Sequence, residues 1–366
     1  MKKELHNFCL KSIQLARNCL SKIKTQTQKL FLIACIKLIR IVIKKKPNLQ
    51  NCIFLMPSLS QHDGAGAQIQ RYASVYSLAQ FFGLGFIHKN IEKMDINHGD
   101  PFQDLNDVKI FLRDLNSKLL SLEKTISSLD PEINIIAYVD DSFIFYLKIL
   151  WGSLLFFFGK KKNIYLSINQ TYNFMKIYPE VFLLFGKDFR NVLLENNVSD
   201  NRQNTKIVIH VRSTNLINHD GNPYKTNIRN LLDVVREIYL NNVNASVLVH
   251  SDIINLTNKS DVINSLTSQE TIRFWKQYNM LESLESGGEL KSMFNQIMLE
   301  IRNLWGDVSL SLVGDPIDFW KQNLDAKFFV MSNSSLSFIS AILLPKGCNV
   351  YCSSSWTFAL KGWTKY

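Results

Sequence analysis

The chain has 366 residues, more than one domain usually holds, so two domains of ordinary size are expected. Apolar residues at 46% and charged residues at 20% exclude a disordered chain. The formal charge of +11 is unevenly placed: residues 1–46 hold 12 Lys and Arg against the single acid Glu4, and the rest of the chain holds 30 of each sign. A neutral body removes the main support for nucleic-acid binding and makes the basic character a property of an N-terminal extension. Six cysteines (Cys9, Cys19, Cys35, Cys52, Cys348, Cys352) show no C-x-x-C pair and no neighbouring His cluster, so no metal site is expected. Few, scattered cysteines fit a reducing compartment.

Within residues 1–46, Leu5, Cys9, Ile13, Ala16, Leu20 and Ile23 recur at spacings of three and four with Lys and Arg between them, the pattern of a basic amphipathic helix. The stretch from Leu30 to Ile43 is more apolar but is interrupted by Lys37 and Arg40 and falls short of the ~20 residues of a membrane span. No small-residue cleavage site follows it, so it is not a secretory signal. The expectation is a protein peripheral to the cytoplasmic, inner face of a membrane, held there by residues 1–46, with each cation near anionic lipid contributing ~1 kcal/mol. The alternative is a helical hairpin packed on the body.

After Pro47, "CIFLMP" reads as a buried strand, the turn "SLSQHDGAG" opens a long helical pattern, and Gly83 and Gly85 break that pattern before a strand at Phe86. This is a βαβ unit. Gly64 and Gly66 let a ligand approach the backbone, and the helix N-terminus behind them offers N–H groups to an anion or a sugar hydroxyl. The spacing matches neither the dinucleotide fingerprint nor the phosphate loop. Residues 104–128 predict a polar helix and Asn134–Val139 a strand. Phe143–Gly159 predicts an apolar helix that is buried or lies at an interface, and "NIYLSI" a further strand.

Strands are then predicted at Thr205–Val211, Ala245–His250, "VSLSLVG", "KFFVMSN" and, as the last, "CNVYCS". Helices are predicted at Asn227–Leu240, in two stretches around 267–305, at Ile317–Leu324 and over "SSLSFISAILL". Alternating strands and helices imply a second α/β layer with a mainly parallel sheet, whose ligands bind beyond the carboxyl ends of the strands. "HVR", "HSD", "VGD" and "SNSS" all fall at such ends. At period two, His210 and Arg212 share one face of their strand. Arg212 can grip a diphosphate in a bidentate way, and the hydroxyls and helix N-terminus of residues 332–335 make a similar anion cradle. The plainer alternative is a satisfied core histidine at His210 and a structural ion pair at Arg212.

Three segments in order resemble the inverting fucosyltransferase superfamily, closest to bacterial α-1,2-fucosyltransferases. "GAGAQIQRYA" is similar to a segment of the form G-x-G-N-Q-x-x-x-Y-A at Gly64, Gly66, Gln68, Tyr72 and Ala73. "HVRSTN" is similar to H-x-R-R-G-D at His210 and Arg212, and "NSSLSFISAIL" to N-S-[ST]-F-S-W-W-A-A-W-L at Asn333, Ser334, Ser335, Ser337 and Ala341. Ser213 stands in place of the second arginine, Asn215 of the aspartate, Ala67 of the asparagine, and Phe338 and Ile339 of two tryptophans.

The resemblance covers about residues 50–366 and implies a GT-B-like α/β fold: two Rossmann-like domains, 47–204 on the acceptor side and 205–366 on the donor side, facing a cleft. It implies metal-independent transfer, with inversion, of fucose or a related sugar from a nucleotide sugar, typically GDP-fucose, to a glycan acceptor, and no cofactor. By match, Arg212 would hold the donor diphosphate. His210 would shape that site, with Asn215 and Asn333 beside it in the matched segments, and Ser334 and Ser335 would bind phosphate oxygens. Gly64, Gly66 and Gln68 would form the opposing wall, and Asp315 would contact the base or ribose. A general base is expected among His62, Asp63, His219 and Asp220, between which the residues do not choose. The rival expectations are a noncatalytic nucleotide- or glycan-binding protein that keeps the fold, and a membrane-bound structural protein.

Overall fold

The structure is a computed structural model that describes residues 30–42, 52–58, 64–92, 105–122, 135–157, 163–194, 205–212, 216, 227–251, 287–312 and 315–366. It is an α/β chain with two sheets, all of whose pairings are parallel. The first contains β1 (Ile53–Pro57), β2 (Gly85–Phe86), β3 (Ile135–Asp140) and β4 (Ile164–Gln170) in the order β2-β1-β4-β3. Its helices are α1 (30–42), α2 (Ala65–Phe82), α3 (Leu105–Leu120) and α4 (Phe143–Phe157). Then follow α5 (Tyr172–Ile177) and α6 (Phe182–Leu194), over a stretch for which the sequence pattern predicted nothing.

Among the described residues the second part alternates: β5 (Lys206–Val211), α7 (Ile228–Leu240), β6 (Ser246–Ser251), α8 (Gly287–Trp305), β7 (Val308–Leu312), α9 (Pro316–Asn323), β8 (Phe328–Val330), α10 (Ser335–Leu343) and β9 (Asn349–Cys352). A short last strand, β10 (Thr364–Lys365), pairs with β9, so "CNVYCS" is not the last strand as expected. The sheet order is β10-β9-β8-β5-β6-β7. The chain starts at β5, moves outward through β6 and β7, then returns to the other side of β5 with β8. That is the doubly wound, Rossmann-type order, and its switch point lies between β5 and β8. The first of the two helical stretches expected around 267–305 lies outside the described residues.

One hydrophobic cluster joins the two sheets. It takes Leu55 and Ile168 from the first, Val208 and Phe329 from the second, and residues of α2, α6 and α10 between them. On the opposite face of β5, Ile207, Ile209 and Val211 pack with α7 and α8 in a separate cluster. Two glycines allow the helices to approach. A Cβ on Gly66 of α2 would stand 2.5 Å from the Leu336 nitrogen of α10, and one on Gly186 of α6 would strike the Ile342 carbonyl oxygen of the same helix. The Tyr76 hydroxyl of α2 donates to Asp188 of α6. Arg190 of α6 donates to the carbonyls of Leu324 (3.1 Å) and Leu343 (2.8 Å), capping the C-terminal ends of α9 and α10. Helix α1 belongs to this core through Leu32, Cys35, Ile36 and Ile39, so residues 30–42 pack on the body, while the amphipathic helix expected over Leu5–Ile23 lies outside the described residues.

Asp141, just past β3, fixes the start of α5. Its carboxylate accepts from the Asn173 N–H (3.0 Å), the Phe174 N–H (2.6 Å) and the Tyr146 hydroxyl (2.9 Å). Burial pushes this carboxyl up to about 6, above the usual carboxylate range and against the pull of those donors. The folded state therefore binds this proton more tightly than the unfolded chain. Its contribution to stability is full below about pH 4 and is lost as the pH rises through about 6, with a span of about 3 kcal/mol. The expected result is a stability difference between wild type and Asp141→Asn that changes steeply between pH 4 and 6. Urea midpoints across that range test it, and a constant difference would refute it.

Candidate functional site

Strand β5 divides its residues by period two. Ile207, Ile209 and Val211 enter the cluster with α7 and α8, whereas Val208 and His210 point to the side of α9 and α10. Arg212 follows the last strand residue and is half-buried. Because Ile209 pairs with Val330, the carboxyl end of β8 is next to that of β5, and residues 332–335 leave β8 beside Arg212's strand and run into α10. The arginine and the serine segment thus flank the switch point.

His210 itself is 3% exposed. Its Nδ1 meets the Ser337 hydroxyl and, at 3.0 Å, the Ser332 hydroxyl. Ser332 donates to Ser334 at 3.1 Å and lies 3.0 Å from Ser337. Ser334 is the N-cap of α10, its hydroxyl accepting from the Ser337 N–H at 3.2 Å. These four side chains tie β5, the β8 loop and the first turn of α10 into one buried unit. His210 is therefore the satisfied core histidine of the plainer alternative. Ser334, expected to bind phosphate, is committed to its helix. Asn333 donates to Ser355 at 2.9 Å and fastens the loop after β9.

Beside His210 in the sheet register is His250, whose Nε2 lies 2.9 Å from Asn323 Oδ1. Phe319 of α9 covers both rings, with centroids 4.9 Å from His210 and 4.6 Å from His250. Burial drives the His210 pKa far down, helped by repulsion from His250 and Arg212. Burial lowers that of His250 to about 4, and the bond to Asn323 only partly restores it. Both imidazoles are neutral at ordinary pH. Arg212 places a positive charge at this end of β5, close enough for His210 to feel it.

Across from this unit stands the start of α2. Gly64 is its N-cap and supplies no side-chain cap, Gly66 abuts Leu336, and Gln68 is buried. The N-termini of α2 and α10 thus meet, both with positive dipole ends. In α10 the Ser337 N–H is taken by Ser334 and the Leu336 nitrogen faces Gly66, which leaves the half-buried Ser335 at the rim. Asp315 lies at the N-cap of α9 and accepts from the Ile317 N–H at 2.8 Å. Burial raises its carboxyl pKa. His62, Asp63, Ser213, Asn215, His219 and Asp220 lie outside the described residues.

The sequence reading missed the layer formed by His250, Phe319 and Asn323. A signal existed for part of it. Pro316, Phe319, Trp320 and Asn323 recur at helical spacing, all facing inward from α9. Among the described residues no group of three or more His, Cys, Asp or Glu could hold a metal ion.

Fold and site together define an α/β protein of two parallel sheets, the second doubly wound with its switch point between β5 and β8. In comparisons with known proteins, no family model, no curated protein and no solved structure matches the chain.

Proposed function

We propose that the chain is a GT-B-type inverting glycosyltransferase that moves fucose or a related sugar from a GDP-sugar to a glycan acceptor in surface-polysaccharide synthesis. The observation that carries this reading is the placement of Arg212 and the Ser332–Ser335 segment on either side of the switch point, opposite the N-terminus of α2. A guanidinium and a helix N-terminus side by side suit a diphosphate. In this reading Arg212 and the Ser335 end of α10 hold the phosphates, Asp315 serves the nucleoside side, and Asn215 is a further donor-side residue. Gly64, Gly66 and Gln68 border the sugar. His210, Asn333 and Ser334 act as positioning residues rather than ligands.

The acceptor oxygen attacks the anomeric carbon from the face opposite the phosphate. The sugar–phosphate bond breaks, and the bonding electrons leave with the nucleotide. The hydroxyl proton passes to a base, for which His62, Asp63, His219 and Asp220 are the candidates. Arg212 stabilises charge as it develops on the departing diphosphate.

The first test is a thermal-shift comparison of GDP, UDP, CMP and dTDP. GDP is expected to raise the melting temperature most, since a ligand at about 100 times its Kd adds ~2.7 kcal/mol to the native state. Absence of a shift with every nucleotide would sink the donor site. Hydrolysis of GDP-fucose by the purified protein then separates an enzyme from a binding protein, which shows no turnover.

A further inference from the structure

Helices α1 and α4 each bury one face and leave the other apolar. In α1 Leu32, Cys35, Ile36 and Ile39 enter the core, while Phe31, Leu38 and Ile41 face outward at 58%, 49% and 54% exposure. In α4 Phe145, Tyr146 and Ile149 are buried, while Ile144, Leu147 and Trp151 are 66%, 40% and 58% exposed. The two outer faces join, because the Phe31 and Phe143 rings meet edge to face at 6.0 Å. A continuous patch of this kind marks a contact surface. Neither helix crosses a bilayer: among the described residues no helix is long and apolar enough.

What such a face meets is set by the charge around it. The chain leaves α1 into Lys44, Lys45 and Lys46, and leaves α4 into Lys160, Lys161 and Lys162. Each lysine run leads on to one of two adjacent strands, since Ile53 of β1 and Ile164 of β4 are register partners. Residues 1–46 carry the whole net charge. A second copy of the same face would set these cations against one another. An anionic surface with an apolar interior satisfies both features, and an exposed tryptophan suits its boundary region. We propose that the outer faces of α1 and α4 form one docking surface for an anionic lipid bilayer, in whose boundary layer the two helices lie flat. This does not depend on the nucleotide reading above.

The test uses the full chain, floated with vesicles of phosphatidylcholine alone or with added phosphatidylglycerol. Wild type is expected to float with the anionic vesicles and to be partly released by salt. The Ile144→Ser/Trp151→Ser variant should lose roughly tenfold or more of its partitioning. Its melting temperature should stay near wild type, because both side chains lie outside the core. Replacing Lys160, Lys161 and Lys162 with glutamine should remove part of the salt-sensitive binding. Failure of wild type to float, or equal flotation of the Ile144→Ser/Trp151→Ser variant, overturns the proposal. So does a wild-type dimer that this variant converts to a monomer in sedimentation velocity, which would make the face a contact between two copies.

Discussion

Arg212→Ala is expected to weaken GDP binding by roughly ten- to a hundredfold, the loss of one charge-assisted hydrogen bond at ~1.5–3 kcal/mol. Turnover should fall further, because the contact strengthens as charge develops on the leaving nucleotide. The neighbouring imidazoles cannot compensate, since burial keeps His210 and His250 neutral. Arg212→Lys should already be harmful, a point charge being unable to reproduce the planar fork. The melting temperature should change little, because β5 is held by its backbone ladders to β6 and β8 and by the apolar clusters on its two faces. Calorimetry of GDP with both proteins, beside their melting curves, decides the matter. Intact affinity with a large loss of stability would return Arg212 to a structural role.

Gly186→Ala should be costly to the fold. In an exposed helix the same change stabilises by up to about 1 kcal/mol. Here the new methyl meets the Ile342 carbonyl oxygen, with the carbonyl carbon at 2.9 Å and the Ile342 Cβ at 3.4 Å. Two of those neighbours are the backbone of α10, which Arg190 of the same α6 holds at Leu343 and Gly66 of α2 meets at Leu336. Overpacking of this kind costs roughly 1–3 kcal/mol, and the rigid neighbour argues for the upper part of that range. Because α10 begins at the serine segment, GDP affinity should fall with it. A urea midpoint equal to or above that of wild type would show that α6 can shift to make room.

Much of the fold was legible because its strands are apolar runs bounded by glycine and serine, and its helices alternate with them. The β5 strand and its emergent Arg212 were read from "KIVIHVR" alone. Helix α6 was not, because its neighbours in space, α2 and α10, lie far away in the chain and its glycine looks like a helix breaker in isolation. The site was half legible. Residue type and strand-end position marked His210, Ser334 and Asn333, but whether a hydroxyl faces a ligand or its own helix depends on the first turn of α10. Sequence spacing gives both possibilities equally. Tyr72 and Ala73, which carry part of the family resemblance, are fully buried core residues, so that match reflects packing as much as chemistry.

The cluster that runs from Ile168 of the first sheet to Val208 of the second has a consequence for how the protein comes apart. Two lobes with separate interiors can melt one after the other, each keeping its own cooperative transition. Here α2, α6 and α10 are shared ribs, and neither sheet can lose them and remain covered. Heat or denaturant therefore dismantles both sheets as one unit, and damage at a rib such as α6, at Gly186, is felt in both.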